Sequence, residues 1–167
     1  MTLNETTVVN QWLAALAAKA GLDGLGLDGQ GGVALRYGDD IELLMELPEQ
    51  SPVLHLYVPV LQLSQGMEQA AIFRQLLARN LFALETQGAS FALDEGNERI
   101  VLQYPLVVAQ SDAALFERVV GNLLEAAVAW KARLRDEQSG VVPQTPVAKE
   151  PVQAVEPASF NAFMVRV

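Results

Sequence analysis

The stretch VALRYGDDIELLMEL, residues 33–47, decides the fold class. Val33, Leu35 and Tyr37 alternate with Ala34 and Arg36, and Gly38-Asp39-Asp40 then supplies a turn. Beyond it Ile41, Leu43, Met45 and Leu47 alternate again, with Glu42 and Glu46 on the opposite side. A period of two with one apolar side marks strands buried on one face, and the short turn joins them as a hairpin.

Working outward, Pro48 and Pro52 bracket a second turn, and Val53–Val60 reads as a third strand. Phe91–Asp94 and Arg99–Tyr104 form another hairpin around Glu95-Gly96-Asn97-Glu98. Three helical segments flank these strands. Thr2-Leu3-Asn4-Glu5 has the form of a capping box, and the first helix should run from about residue 3 to Lys19 and stop at Gly21. The second should cover Met67–Glu85 and end near Gly88. Ser111 should cap a third, from Asp112 to about Arg135, with a stripe of Leu115, Val119, Leu123, Ala127, Trp130 and Leu134. Its Lys131, Arg133 and Arg135 lie where the helix dipole favours cations. The order α-βββ-α-ββ-α predicts an α+β domain, an antiparallel sheet with helices packed on it.

That domain should occupy residues 1–135. Residues 136–158 read as a linker, since they hold four of the eight prolines: Pro143, Pro146, Pro151 and Pro157. Pro143-Gln144-Thr145-Pro146 fits P-x-x-P, a spacing common in linkers. Residues 159–167 turn apolar again, and two readings stay open: an untethered terminus, or a segment that occupies an apolar patch on the same or a neighbouring subunit.

Charge and composition narrow the function classes. The net charge is −9, and residues 1–135 carry −7 of it, with 16 acids against 9 bases. Acidity belongs to the folded part, which argues against nucleic-acid binding and suits solubility or a basic partner. No apolar run reaches the roughly 18–20 residues of a membrane span, and the N-terminus lacks the pattern of a signal peptide. A cytosolic address is expected.

The chemistry-bearing motifs are sparse. Gly24-Leu25-Gly26-Leu27-Asp28-Gly29 satisfies G-x-G-x-x-G, but it follows a helix and precedes a strand, the reverse of a dinucleotide site. Asp23 and Asp28 lack calcium-loop spacing. His55 is the single histidine and the chain has no cysteine, so nucleophile–base pairs and histidine metal sites have little material. Turn geometry accounts for Asp39, Asp40, Glu95 and Glu98. No enzyme, cofactor or metal is therefore expected. The alternative is a small-molecule-binding or enzymatic α+β domain enclosing a cavity.

The second helix is more informative. Ile72, Phe73, Leu76, Leu77, Leu81 and Leu84 spread over about half its circumference, where packing on a sheet needs about a third. Gln69 and Asn80 fall within this arc. Two readings stay open: a helix shared between the sheet and a second subunit, with a polar residue fixing register, or a covered helix whose Asn80 bonds a nearby backbone.

Leu76-Leu77-Ala78-Arg79-Asn80-Leu81, then Gly88, Phe91-Ala92-Leu93, the Leu102–Leu106 segment and the closing Ala126-Ala127-Val128-Ala129-Trp130 resemble the type III secretion chaperone (Tir/CesT) family. The likeness covers about residues 5–135, and the proline-containing extension departs from the family's short acidic ends. The resemblance implies an ATP-independent homodimer in the bacterial cytosol that binds the N-terminal region of a secreted effector and keeps it extended. It implies a dimer interface at Ile72, Phe73, Leu76, Leu77, Asn80 and Leu81. It also implies effector-binding positions at Val9, Trp12, Leu13 and Leu16, with Leu35, Leu43 and Met45. A related role, regulation by sequestering a regulatory protein, would use the same groove.

Overall fold

The computed structural model describes residues 4–138 and 164–166. Helix α1 is Glu5–Ala20, and Asn4 caps it, its Oδ1 accepting from the Thr6 N–H at 3.0 Å. Thr2, expected in that role, lies outside the described residues. Gly21 ends the helix in the left-handed region at φ 69°, and the Leu22 N–H closes on the Ala17 carbonyl at 3.0 Å.

Three strands follow, β1 (Gly32–Tyr37), β2 (Ile41–Glu46) and β3 (Val53–Gln62), joined as a meander. The entry to β1 needs a glycine at residue 31. Its φ is 81°, and a Cβ there would sit 2.4 Å from the Leu47 carbonyl oxygen. The preceding glycines carry no helix start. Asp28 instead folds the loop, its Oδ1 accepting from the Gln30 and Gly32 N–H groups at 2.8 and 2.9 Å.

Helix α2 spans Gln69–Asn80, β4 Ser90–Asp94, β5 Arg99–Val107 and α3 Ala113–Gln138. The expected α-βββ-α-ββ-α order holds. A short 3₁₀ turn, Glu95–Asn97, links β4 to β5. At the start of α3 the cap is Asp112, not Ser111: Asp112 Oδ1 accepts from the Leu115 N–H at 2.7 Å, while Ser111 donates to the Val107 carbonyl. The helix also runs on through Asp136, Glu137 and Gln138, which the sequence reading gave to the linker. The rest of that linker, with its P-x-x-P, lies outside the described residues. A sixth strand, β6 (Met164–Arg166), joins the sheet, whose order is β4-β5-β3-β2-β1-β6.

Burial alternates along the strands as the period of two predicts. Leu54, Leu56, Val58 and Val60 of β3 are buried, while His55, Tyr57 and Pro59 between them are half-buried. Pro59 sits beyond the stretch of β3 that β2 pairs, beside a bulge, and Pro105 lies beyond the stretch of β5 that β4 pairs. Each therefore needs no ladder bond on one side. On the buried face α3 contributes Phe116, Val120, Leu123, Leu124, Ala127 and Trp130. α1 lies against α3, with the Trp12 and Phe116 rings stacked at 5.5 Å.

Candidate protein-binding surfaces

The seven positions expected to touch a client are core residues. Val9, Leu13, Leu35, Leu43 and Met45 are wholly buried, and Leu16 and Trp12 nearly so. The reason lies in the packing. α1 carries a single apolar face, and it packs into the core beside α3 and the 3₁₀ turn Val108–Gln110, so no bulky side chain is left exposed. The structure thus corrects the assignment of these residues to an exposed patch. What the helix offers to solvent is a shallow groove beside α3, lined by Ala15, Lys19, Ala113, Ala114 and Glu117, with Trp12 at its floor.

The dimer candidates divide. Leu76 is buried, and Ile72 and Phe73 are partly buried against the core. Leu77 and Leu81, by contrast, are each 67% exposed. Asn80 serves the chain's own sheet: Oδ1 accepts from the Phe91 N–H at 2.8 Å and Nδ2 donates to the Phe91 carbonyl at 3.1 Å. Its carboxamide therefore satisfies both backbone groups of one residue on the β4 edge, as a neighbouring strand would.

The same contact helps to explain why α2 stops at Asn80 rather than near Glu85. Leu81 is extended, and Phe82 and Ala83 then take positive φ, 65° and 48°, a conformation costly for residues with a Cβ. Several groups hold this turn. Thr86, fully buried, donates to the Ala89 and Ala83 carbonyls, and Gly88 N–H donates to Ala83 at 3.1 Å. The Trp130 indole N–H donates to the Glu85 carbonyl at 3.0 Å. Arg79 and Arg133 both donate to the Glu85 carboxylate, and their guanidinium groups lie 5.3 and 4.7 Å from the Trp130 ring centre. Phe91 meets that ring edge-on at 4.9 Å. The outcome is a fixed turn that presents Phe82 and Leu84, 80% and 81% exposed, beside Leu77 and Leu81. Leu93 of β4 is exposed as well.

The clamp itself was not legible in the sequence. Leu84 belonged to the wide apolar arc, but Phe82 and the roles of Thr86, Glu85 and Arg133 gave no periodic signal.

The outer sheet face is mixed. It carries a hollow of about 270 Å³, open to solvent and lined by Asp28, Gly32, Ala34, Leu44 and Glu46 among others. Tyr57 donates to Glu46 there, and burial followed by that hydrogen bond pushes the phenol pKa up. His55 sits on the same face, opposite Glu46 and Pro105. Among the described residues no acid, histidine or cysteine cluster fits a metal, and no buried side-chain polar atom lacks a partner. The concavities described here are solvent-open, which gives no support to the alternative of a ligand-enclosing cavity. No helix among the described residues is long and apolar enough to cross a membrane.

Comparison with known proteins places these surfaces in context. The Tir chaperone protein (CesT) family model matches residues 11–131. The transcriptional anti-antiactivator ExsC of Pseudomonas aeruginosa is 30% identical over 129 residues, 77% of this chain and 87% of ExsC. The crystal structure of the ExsC–ExsE complex contains a chain 28% identical, with a TM-score of 0.66, covering 78% of this chain and 96% of that one. The HopA1–SchA chaperone–effector complex shares the fold at 16% identity and a TM-score of 0.62, covering 78% of this chain and 99% of the other.

Proposed function

The chain belongs to the Tir chaperone protein (CesT) family, and from that premise we propose that it is an ATP-independent chaperone of the bacterial cytosol. As a homodimer it binds the N-terminal region of a type III secreted effector and keeps that segment extended for secretion. The observation that carries this reading is the apolar ridge of Leu77, Leu81, Phe82 and Leu84, which stays in solvent once the monomer has folded.

A ridge of this size on a soluble chain calls for a protein partner. Covering one such side chain stabilises an assembly by about 1.5–3 kcal/mol, so several together offset the entropy of association. We assign the ridge to the contact between two copies, with Ile72, Phe73 and Leu76 backing it from inside and Asn80 fixing the angle between α2 and β4. The client takes the remaining open surfaces, the outer sheet face and its edge. There an extended segment gains main-chain hydrogen bonds and places alternate side chains in hollows. Holding a segment unfolded is a matter of mass action on its extended form and breaks no covalent bond, so we assign the chain no catalytic group.

Affinity capture from the native cell, followed by mass spectrometry, tests the client; sedimentation at micromolar concentration tests the dimer. The expected result is a dimer that retains one secreted protein. A monomer that retains none overturns the reading.

The 30% identity to ExsC favours a second role for the same surfaces, in which the bound protein is a regulator rather than an effector. Capture of a protein whose loss changes transcription and which is not secreted would select this role over the first.

A further inference from the structure

The β1 edge of the sheet is covered by the chain itself. β6 pairs antiparallel with β1 in the register Leu35↔Arg166, Arg36↔Val165 and Tyr37↔Met164. We propose that β6 is a placeholder strand: it occupies the edge at which an extended client segment adds to the sheet, and the client binds by displacing it. The proposal rests on the chaperone reading for the identity of the client, but not for the exchange itself.

Three observations point to exchange rather than a permanent sixth strand. β1 is six residues long, and β6 pairs with only the last three. Toward the start of β1, Asp28 closes the edge by bonding both main-chain groups of Gly32, and an open hollow lined by Gly32, Val33, Ala34 and Leu44 lies beside it. A client strand on this edge would thus lie next to a depression that can take its side chains. Second, the 25 residues 139–163 separate α3 from β6. Closing so long a connection costs entropy, which leaves the net stability of three paired residues small. Third, residues 159–167, SFNAFMVRV, contain no acid and one arginine in a chain of net charge −9. Their composition suits an acidic protein's edge, and a client strand of the same make-up, apolar and weakly basic, is the chemistry that would compete.

The opposite edge supplies a contrast. There Asn80, anchored in α2, bonds both backbone groups of Phe91 from a fixed position. One edge is closed by a side chain of the folded domain, the other by a strand at the end of a long connection.

The experiment uses the full chain and a variant, Val165→Pro, which removes a backbone N–H from the three-residue ladder. The probe is a labelled synthetic peptide of residues 159–167 added in solution. The tethered strand competes at a high effective concentration in the wild type, so the peptide should bind the variant at least tenfold more tightly. Amide exchange at Arg36, whose N–H faces β6, should quicken in the variant and slow again when the peptide is added. Equal peptide affinity for both proteins, or unchanged exchange at Arg36, overturns the placeholder role. In a captured client complex, residues 164–166 should lose their protection. A client that binds while they stay protected sinks the displacement and leaves the chaperone reading standing; failure to capture any client leaves the peptide result to decide on its own.

Discussion

α1 and α2 present similar apolar spacing, and the folded chain uses them in opposite ways. α1 buries Val9, Trp12, Leu13, Leu16, Ala17 and Ala20 on one face. α2 buries Leu76 alone and leaves Leu77, and Leu81 at its C-terminal cap, in solvent. The difference is in arc width. The bulky residues of α1 fit within one face and its flanks are alanines, so the core beside α3 consumes them all. Those of α2 extend past the face that touches the sheet, and the surplus is surface. Apolar residues outside the packing arc, not apolar residues as such, mark a place for a partner.

The largest expected effect breaks the comparison if it fails. Leu13→Ala removes a wholly buried side chain of α1 and should destabilise the fold by about 3 kcal/mol, within the range for core Leu truncations. Urea denaturation measures the loss. The dimer constant, corrected for unfolded protein, should stay unchanged. A stable variant with impaired client binding would return α1 to the role the resemblance gave it.

Next, Leu77→Asp and Leu81→Asp should each weaken self-association by about 2 kcal/mol, roughly thirtyfold, because each places a charge on the ridge. Far-UV circular dichroism should match wild type, since both side chains are mostly exposed. Sedimentation equilibrium reads the shift toward monomer. Unaltered dimer in the double variant would mean that the ridge serves another partner.

Much of this division could be read in the sequence. The strand periodicity from Val33 to Leu47 gave the hairpin, and the excess of apolar residues between Ile72 and Leu84 announced a helix with surface to spare. What escaped is what lacks a period. The early end of α2 depends on Asn80 reaching β4 and on a tryptophan, Trp130, from a helix 50 residues later. Tertiary contacts of that kind outweigh helix propensity, and no window of the sequence contains them. The burial of α1 escaped for the same reason. Its pattern is equally that of a core helix and of a docking helix, and only the position of α3 decides between them.

A smaller effect probes the clamp between the two behaviours. Asn80→Ala removes both bonds to Phe91 and should cost about 1–2 kcal/mol, as a half-buried pair left unsatisfied does. Asn80→Asp restores the acceptor and not the donor, so it should fall between. Exchange at the Phe91 amide follows the loss residue by residue. If stability holds but the dimer dissociates, Asn80 acts in the interface and the first of its two readings returns.

The smallest effect concerns exposed polar ties, and it sharpens the contrast by showing that they do not decide it. Asp40, in the β1–β2 turn, accepts from Arg135 of α3 at 2.9 Å, and that bond, with the nearby Lys131 charge, lowers its pKa. Asp94 is lowered by its bonds to Asn97 and then Arg99. A carboxyl whose folded pKa lies below the unfolded value of about 3.9 stabilises the fold above that pH, and the contribution fades as pH falls through the folded pKa. Asp40→Asn and Asp94→Asn should therefore flatten the acid limb of stability below about pH 4 and change little at pH 7, where screening by solvent keeps such pairs weak. Thermal melts between pH 2.5 and 7 measure this. A loss at pH 7 matching that of Leu13→Ala would mean that ion pairs, rather than the burial of α1, hold the helices to the sheet.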